Sequence, residues 1–279
     1  MARPKCTSPF LRWAGGKTWL TGFVLDLTEN LHFNHYFEPF LGGGAMFFAL
    51  HPGEATISDA NEELIHTYIT LREHAENVIM TLKTFENTSD FYYQTRATIR
   101  PDDDVYMCAR FIYLNHTSYN GLYRVNNAGM YNVPYGNRRI DFVKENHIRE
   151  VSRLLQGVDI RCGDFDVYRN EIHEGDLVFL DPPYTVSHNQ NGFIKYNQNL
   201  FSLKDQHRLR YLIDYIKGQG AYYILTNAAH ETIQEIFDCG DTRHTLNRHS
   251  TIGGNKAQRG HVDEYVFTNI AVRCNHGLD

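Results

Sequence analysis

Three short apolar runs, at residues 35–40, 176–180 and 222–226, constrain the fold more than any other feature of this chain. The first runs into Leu41-Gly42-Gly43-Gly44, the second into Asp181-Pro182-Pro183-Tyr184, and the third into Asn227. Apolar segments of that length, each closed by a turn signal, read as buried strands. Residues 55–58 offer a fourth. The segments between them have helical spacing. Residues 61–82 place Leu64, Ile65, Tyr68, Ile69 and Leu71 behind Asn61 or Asp59 as the starting residue. Residues 202–216 place Leu209, Leu212, Ile213 and Ile216 behind Ser202 as N-cap, with Gly218 as the expected stop. Strands alternating with helices predict an α/β fold on a mostly parallel sheet. At 279 residues, 42% of them hydrophobic, the chain can bury one large core, alone or with a smaller insertion.

Residues 87–136 break the alternation and are rich in Tyr, Asn and Arg. Within them Leu122, Arg124 and Asn126 alternate with Tyr123 and Val125, Asn127-Ala128-Gly129 supplies a turn, and residues 130–135 return. This pattern predicts a β-hairpin that projects Leu122 and Arg124 from one face.

Composition removes several classes. No apolar run approaches the length of a membrane span, and the first nine residues lack the apolar region of a signal peptide, so a cytoplasmic protein is expected. The five cysteines include no C-x-x-C pair, against a disulfide framework or a zinc knuckle. The net charge of −6 opposes nucleic-acid binding as a sum, but distribution matters more. Arg243, Arg248, Lys256 and Arg259 lie in a stretch without acidic residues, and Arg138, Arg139 and Lys144 form a second basic group.

Asp181-Pro182-Pro183-Tyr184 carries the sharpest chemistry. The prolines end the strand and remove backbone donors, leaving carbonyls free to accept. An exocyclic amino nitrogen on a base is a weak nucleophile because its lone pair is delocalised. The Asp181 carboxylate and the Pro182 carbonyl suit its two hydrogens, and Tyr184 suits stacking on the ring. The glycine turn that opens with Glu38, Pro39 and Phe40 and closes on Gly42 and Gly44 allows backbone to approach a ligand closely. Glu38 suits a ligand ammonium, and Asp59, about 20 residues on, suits ribose hydroxyls. Trp13 and Lys17 are expected to line the same cofactor site, while Asp164 and Phe165 offer an acceptor and a stacking ring for adenine. Around Gly15-Gly16-Lys17-Thr18 a phosphate-loop reading fails, because Leu11 stands where that motif needs glycine.

Taken together, residues 11–17, 37–44, 118–124, 132–136 and 181–184 resemble the DNA adenine-N6 methyltransferases that act at GATC sites. The order is that of class alpha: cofactor motif, recognition domain, catalytic motif. The resemblance runs from Phe10 to about Asn269. It implies a Rossmann-like methyltransferase fold: a mixed seven-stranded sheet with a reversed final hairpin, plus an inserted helical DNA-recognition domain bearing a β-hairpin. On this basis residues 1–61 and 151–279 are expected to bind S-adenosyl-L-methionine, and residues 62–150 to form the insertion. Trp13, Lys17, Asp59 and Asp181 match cofactor-contacting positions. Tyr119 matches the aromatic that wedges into the stack when the target adenine leaves, with Asn120 beside it. Leu122, Arg124 and Pro134 match hairpin residues that read base edges, and Arg12 matches a basic residue facing the first guanine. After Gly136 the chain has Asn137-Arg138-Arg139, where relatives often place arginine at once, so the phosphate contact is expected to shift to Arg138. Residues 185–201, with Phe193, Tyr196 and Phe201, are similar to a mobile loop over the flipped base, and residues 247–261 to a second basic loop.

The expected partner is duplex DNA, bound by a monomer without membrane attachment, and a cognate restriction endonuclease acting separately is compatible. Rival targets are cytosine N4, an RNA adenine or a protein glutamine amide; Asp181 at the head of the turn favours adenine, since cytosine-N4 enzymes usually carry Ser there and glutamine-amide enzymes Asn, and the hairpin domain favours duplex DNA. A DNA-binding protein without catalysis is the other alternative.

Overall fold

The computed structural model describes residues 6–126, 128–185, 201–249 and 261–271. In chain order its helices are α1 (Thr21–Thr28), α2 (Ala45–Leu50), α3 (Glu62–Lys83), α4 (Ser89–Ala97), α5 (Asp104–Thr117), α6 (Glu145–Leu154), α7 (Leu203–Gly218) and α8 (Glu231–Phe237). The strands are β1 (Tyr36–Glu38), β2 (Ala55–Asp59), β3 (Asp159–Cys162), β4 (Leu177–Leu180), β5 (Tyr222–Ala228), β6 (Thr242–His249) and β7 (His261–Thr268). They form one mixed sheet in the order β3-β2-β1-β4-β5-β7-β6. The pairs β2/β3, β1/β4 and β4/β5 are parallel, whereas β7 is antiparallel to both β5 and β6. The final pair is therefore the reversed hairpin that the family resemblance implies. Among the described residues no helix is long and apolar enough to cross a membrane.

The chain divides into two compact units, Met1–Thr21 with Leu41–Asp164 and Gly22–Phe40 with Phe165–Asp279. In the second, every residue of β4 is buried, so the strand is covered on both faces, as parallel strands under helices are. Its core gathers Val178 and Leu180 of β4, Tyr223 and Leu225 of β5, and Leu209, Leu212, Ile213 and Ile216 of α7. A capping box opens α7: the Ser202 hydroxyl and the Asp205 carboxylate each bond the other's backbone N–H. The helix runs through Gly218 and stops two residues later than expected. Gly220, at φ +76°, supplies the left-handed turn, and the Ala221 N–H closes on the Ile216 carbonyl at 3.1 Å. A glycine ends a helix only where the backbone reverses hand, and Gly218 does not.

In the first unit α3 begins at Asn61, whose side chain accepts the Leu64 N–H at 3.1 Å, and kinks at His74. Its apolar face packs on α5, which is buried along nearly its whole length. Arg110 of α5 is 1% exposed and donates to the carbonyls of Thr95 and Arg96 and to the Glu63 carboxylate. That pairing lets a cation sit inside the unit.

Candidate active site

In the first unit the glycine turn folds onto Asp59. Gly42, at φ +48°, donates its N–H to Asp59 Oδ2 at 2.9 Å, and Asn61 donates to Oδ1 at 3.0 Å. Burial raises the Asp59 carboxyl above its ordinary range despite these bonds, which favour the ionised form. Trp13 packs across the turn, so that a Cβ at residue 42 would lie 2.7 Å from its ring. The indole is itself stacked on Tyr123, with centroids 5.3 Å apart. Gly44, at φ +70°, leads into α2, which runs only six residues. Lys17 is buried and donates to the Gly15 carbonyl at 2.9 Å, while Asp164 is exposed at the end of β3. Trp13, Gly42, Gly44 and Asp59 are thus brought together as one packed cluster.

In the second unit Glu38 is 2% exposed and accepts the Tyr36 hydroxyl at 2.8 Å; burial, then the adjacent carboxylate, pushes that phenol upward. Phe40 stacks on Phe165 at 5.4 Å, and the Arg208 guanidinium lies 4.7 Å from the Phe165 centroid. Phe165 therefore uses its ring on protein partners, Phe40 above all. The Asp181–Tyr184 turn leaves β4 beside β5. The Thr226 hydroxyl donates to Asp181 Oδ1 at 2.6 Å, and the Tyr184 hydroxyl donates to Glu264 Oε2 at 2.5 Å. Behind the turn, Asn227 donates to Gln206, Gln206 to the Thr185 hydroxyl, and Thr185 to the Phe201 carbonyl, a buried polar chain. Pro182 is buried, and Pro183 and Tyr184 are half-buried.

Sequence reasoning did not pick out Thr226, Glu264 and Gln206, all 1% exposed or less. A signal existed for the first: Thr226 and Asn227 end an apolar strand, and ligands in open α/β sheets bind beyond the carboxyl ends of strands.

The expected recognition residues all lie in the first unit. Asn115 clamps Arg12 by its backbone, accepting the Arg12 N–H at 2.8 Å and donating to its carbonyl at 2.7 Å. The Arg12 side chain is exposed and crosses Gly121, where a Cβ would lie 2.5 Å from its Nε. Arg12 thus adjoins the tight turn of Tyr119, Asn120 and Gly121, in which Asn120 and Gly121 both have positive φ and Tyr119 is 48% exposed. The hairpin forms as paired backbone contacts, not as two continuous strands. Ser118 bridges Tyr135 and Val125 bridges Tyr131. The reason lies in the intervening residues: Pro134 has no N–H, and the Leu122 carbonyl is taken by the Tyr131 and Ser118 hydroxyls. Arg124 is exposed and donates from Nε to Asn132 Oδ1 at 2.7 Å; Leu122 is half-buried and Pro134 exposed. Arg138 turns inward, donating to the carbonyls of His116 and Ser118, and burial followed by the charge of Arg12 pulls its pKa down. In the other basic stretch Arg243 pairs with Asp238, whereas the side chain of Arg248, and Lys256 and Arg259 entirely, lie outside the described residues. So do residues 186–200, with Phe193 and Tyr196.

The residues present fit S-adenosylmethionine. Within the first unit, a glycine turn with Gly42 and Gly44 at positive φ and a buried carboxylate held by two backbone N–H groups match a nucleoside ligand in donors and charge.

A family model described as D12 class N6 adenine-specific DNA methyltransferase matches residues 13–252. A Type II methyltransferase of Lactococcus lactis subsp. cremoris is 34% identical over 94% of this chain and 95% of its own. A Type II methyltransferase of Methanocaldococcus jannaschii is 35% identical over 79% of this chain and 84% of its own. A DNA adenine methylase of Haemophilus influenzae is 29% identical, covering 85% and 88%. Matched from residue 13 to residue 252, the chain belongs to the D12 class of N6 adenine-specific DNA methyltransferases, and S-adenosylmethionine is its methyl donor.

Proposed function

We infer that the protein is a site-specific enzyme that methylates adenine N6 within GATC in duplex DNA, after the adenine is flipped out of the helix. Residues 62–150 act as the target-recognition insertion, and residues 1–61 and 151–279 serve the cofactor. The observation that carries the reading is Asp181 at the head of a proline-stiffened turn, held by Thr226 of β5.

S-adenosylmethionine supplies an electrophilic methyl group on a sulfonium. The Asp181 carboxylate and the Pro182 carbonyl accept the two amino hydrogens of adenine and turn the nitrogen lone pair toward that methyl. Methylation leaves the nitrogen positively charged and its extra proton acidic, so no strong base is needed. Pro183 keeps the turn rigid, and Tyr184 stacks on the flipped base, worth about 1–3 kcal/mol against an unstacking cost of a few kcal/mol. Trp13, Lys17, Glu38, Phe40, Gly42, Gly44, Asp59 and Asp164 bind and orient the cofactor, with Phe165 backing the Phe40 ring, and proximity supplies most of the acceleration. Arg12 and Arg124 read guanines in the major groove, with Leu122 and Pro134 on neighbouring base edges. Tyr119 fills the opened stack beside Asn120, and Arg138 steadies that turn through the carbonyls of His116 and Ser118. The Type II relatives support a separate restriction endonuclease as cognate partner.

Expression in cells lacking adenine methylation, followed by genome-wide mapping of modified bases, tests the site. Methylated adenines should fall between guanine and thymine in GATC; enrichment of any motif lacking that context refutes it. Asp181→Ala should abolish transfer while duplex binding persists.

A further inference from the structure

We propose that Thr226 is a positioning residue for methyl transfer: its hydroxyl fixes the plane of the Asp181 carboxylate. The inference rests on Asp181 acting at the amino nitrogen, and it adds the device that aims that carboxylate. Pro182 and Pro183 stiffen the backbone that follows, but neither constrains the Asp181 side chain, whose two torsions decide where its oxygens point. The strand register supplies the constraint. Leu180 pairs with Leu225 as the last rung of the parallel β4/β5 ladder, so the next residues, Asp181 and Thr226, meet where that ladder ends. Thr226 Oγ1 then lies 2.6 Å from Asp181 Oδ1, within the short range of hydroxyl–carboxylate bonds. Thr226 is 0% exposed, so its hydroxyl is cut off from solvent. Committing Oδ1 to a fixed donor sets the carboxylate plane and with it the direction of the second oxygen.

Packing alone does not call for a hydroxyl here. On the other side Thr226 pairs with Val266 of β7, and its strand neighbour Leu225 is fully buried, so an isosteric valine would satisfy an apolar interior. Burying a hydroxyl carries a desolvation cost that only its hydrogen bond offsets. The same residue lies on the strand that carries Asn227, whose amide starts the chain to Gln206 and Thr185. That chain holds the residue following Tyr184, so both ends of the turn are held from β5 and α7.

The decisive comparison is Thr226→Ser against Thr226→Ala, which differ by the hydroxyl alone and add no bulk. Single-turnover transfer to a cognate duplex should be about tenfold faster for serine than for alanine, the low end for a lost hydrogen bond to a charged group. Equilibrium binding of S-adenosylmethionine and of duplex DNA should be equal in the two. The isosteric Thr226→Val should be as slow as alanine. Equal single-turnover rates for serine and alanine overturn the inference, as does a rate difference matched by a loss of cofactor or DNA binding. If Asp181→Ala itself transfers methyl at the normal rate, the reading of the catalytic turn fails first; if it is inactive while serine and alanine match, only the role of Thr226 falls.

Discussion

Replacing Gly42 by alanine probes the cofactor cradle at the point where backbone and side chain constrain each other. Gly42 sits at φ +48°, a left-handed conformation that costs a residue with a Cβ about 1–2 kcal/mol. The added Cβ would also lie 2.7 Å from Trp13 Cδ1 and 3.0 Å from Nε1, well inside contact distance. The indole cannot swing away freely, because it is stacked on Tyr123 at 5.3 Å and on Phe111 at 6.4 Å. Moving it forfeits aromatic contact worth about 0.5–1.5 kcal/mol. Gly42→Ala should therefore lower the unfolding free energy by about 2–3 kcal/mol. It should also weaken S-adenosylmethionine binding, because the Gly42 N–H that holds Asp59 Oδ2 moves with the turn. Urea denaturation followed by circular dichroism gives the first quantity, and calorimetric titration with the cofactor gives the second. Gly53→Ala is the control: Gly53 is exposed, nothing lies within 4 Å of its Cβ position, and its φ is unexceptional, so stability should change by less than about 0.5 kcal/mol. If Gly42→Ala matches that control in stability and binds cofactor normally, the cradle is not built as argued.

Arg124→Ala should cost about 1–3 kcal/mol of discrimination at one guanine, read as kcat/KM on cognate against singly substituted duplexes. Unchanged discrimination removes Arg124 from recognition. Tyr184→Phe keeps the stacking ring but takes the hydroxyl from buried Glu264, and should destabilise by about 1–3 kcal/mol in urea titration. His116 gives a pH dependence: its ring is buried, Nε2 lies 2.8 Å from the Phe10 carbonyl, and burial pushes its pKa down to about 4. Below the unfolded value of about 6.5 the unfolded chain takes a proton that the folded chain refuses. Stability should thus be fully present above about pH 6.5 and fall toward pH 4, by on the order of 3 kcal/mol. His116→Gln should flatten that part of the urea-midpoint profile, and an unflattened profile places the loss elsewhere.

Most of the local order was legible because its causes are local. Asn61 and Ser202 cap their helices with side chains that reach three residues along the chain. The apolar runs of β1, β4 and β5 need only burial to become strands. Gly218 misled for an equally local reason: composition identifies a glycine that is able to end a helix, not the one whose φ turns positive. The hairpin of residues 118–135 was legible as a return of the chain but not as a ladder, because the Tyr131 and Ser118 hydroxyls take the Leu122 carbonyl from a distance.

By itself the sequence determined the chemistry-bearing groups, their order, and the alternation that makes a mostly parallel sheet, while the reversed final pair was implied only by the family resemblance. Tertiary structure decided what each group touches. Thr226 meets Asp181 only because β4 and β5 pair in one register, Glu264 reaches Tyr184 from a strand 80 residues away, and Phe165 spends its ring on Phe40. Arg138, a surface cation by composition, ends with its guanidinium on two carbonyls. Spacing along a chain fixes neighbours within a turn or two, whereas contacts across a sheet depend on register and packing that no single segment carries.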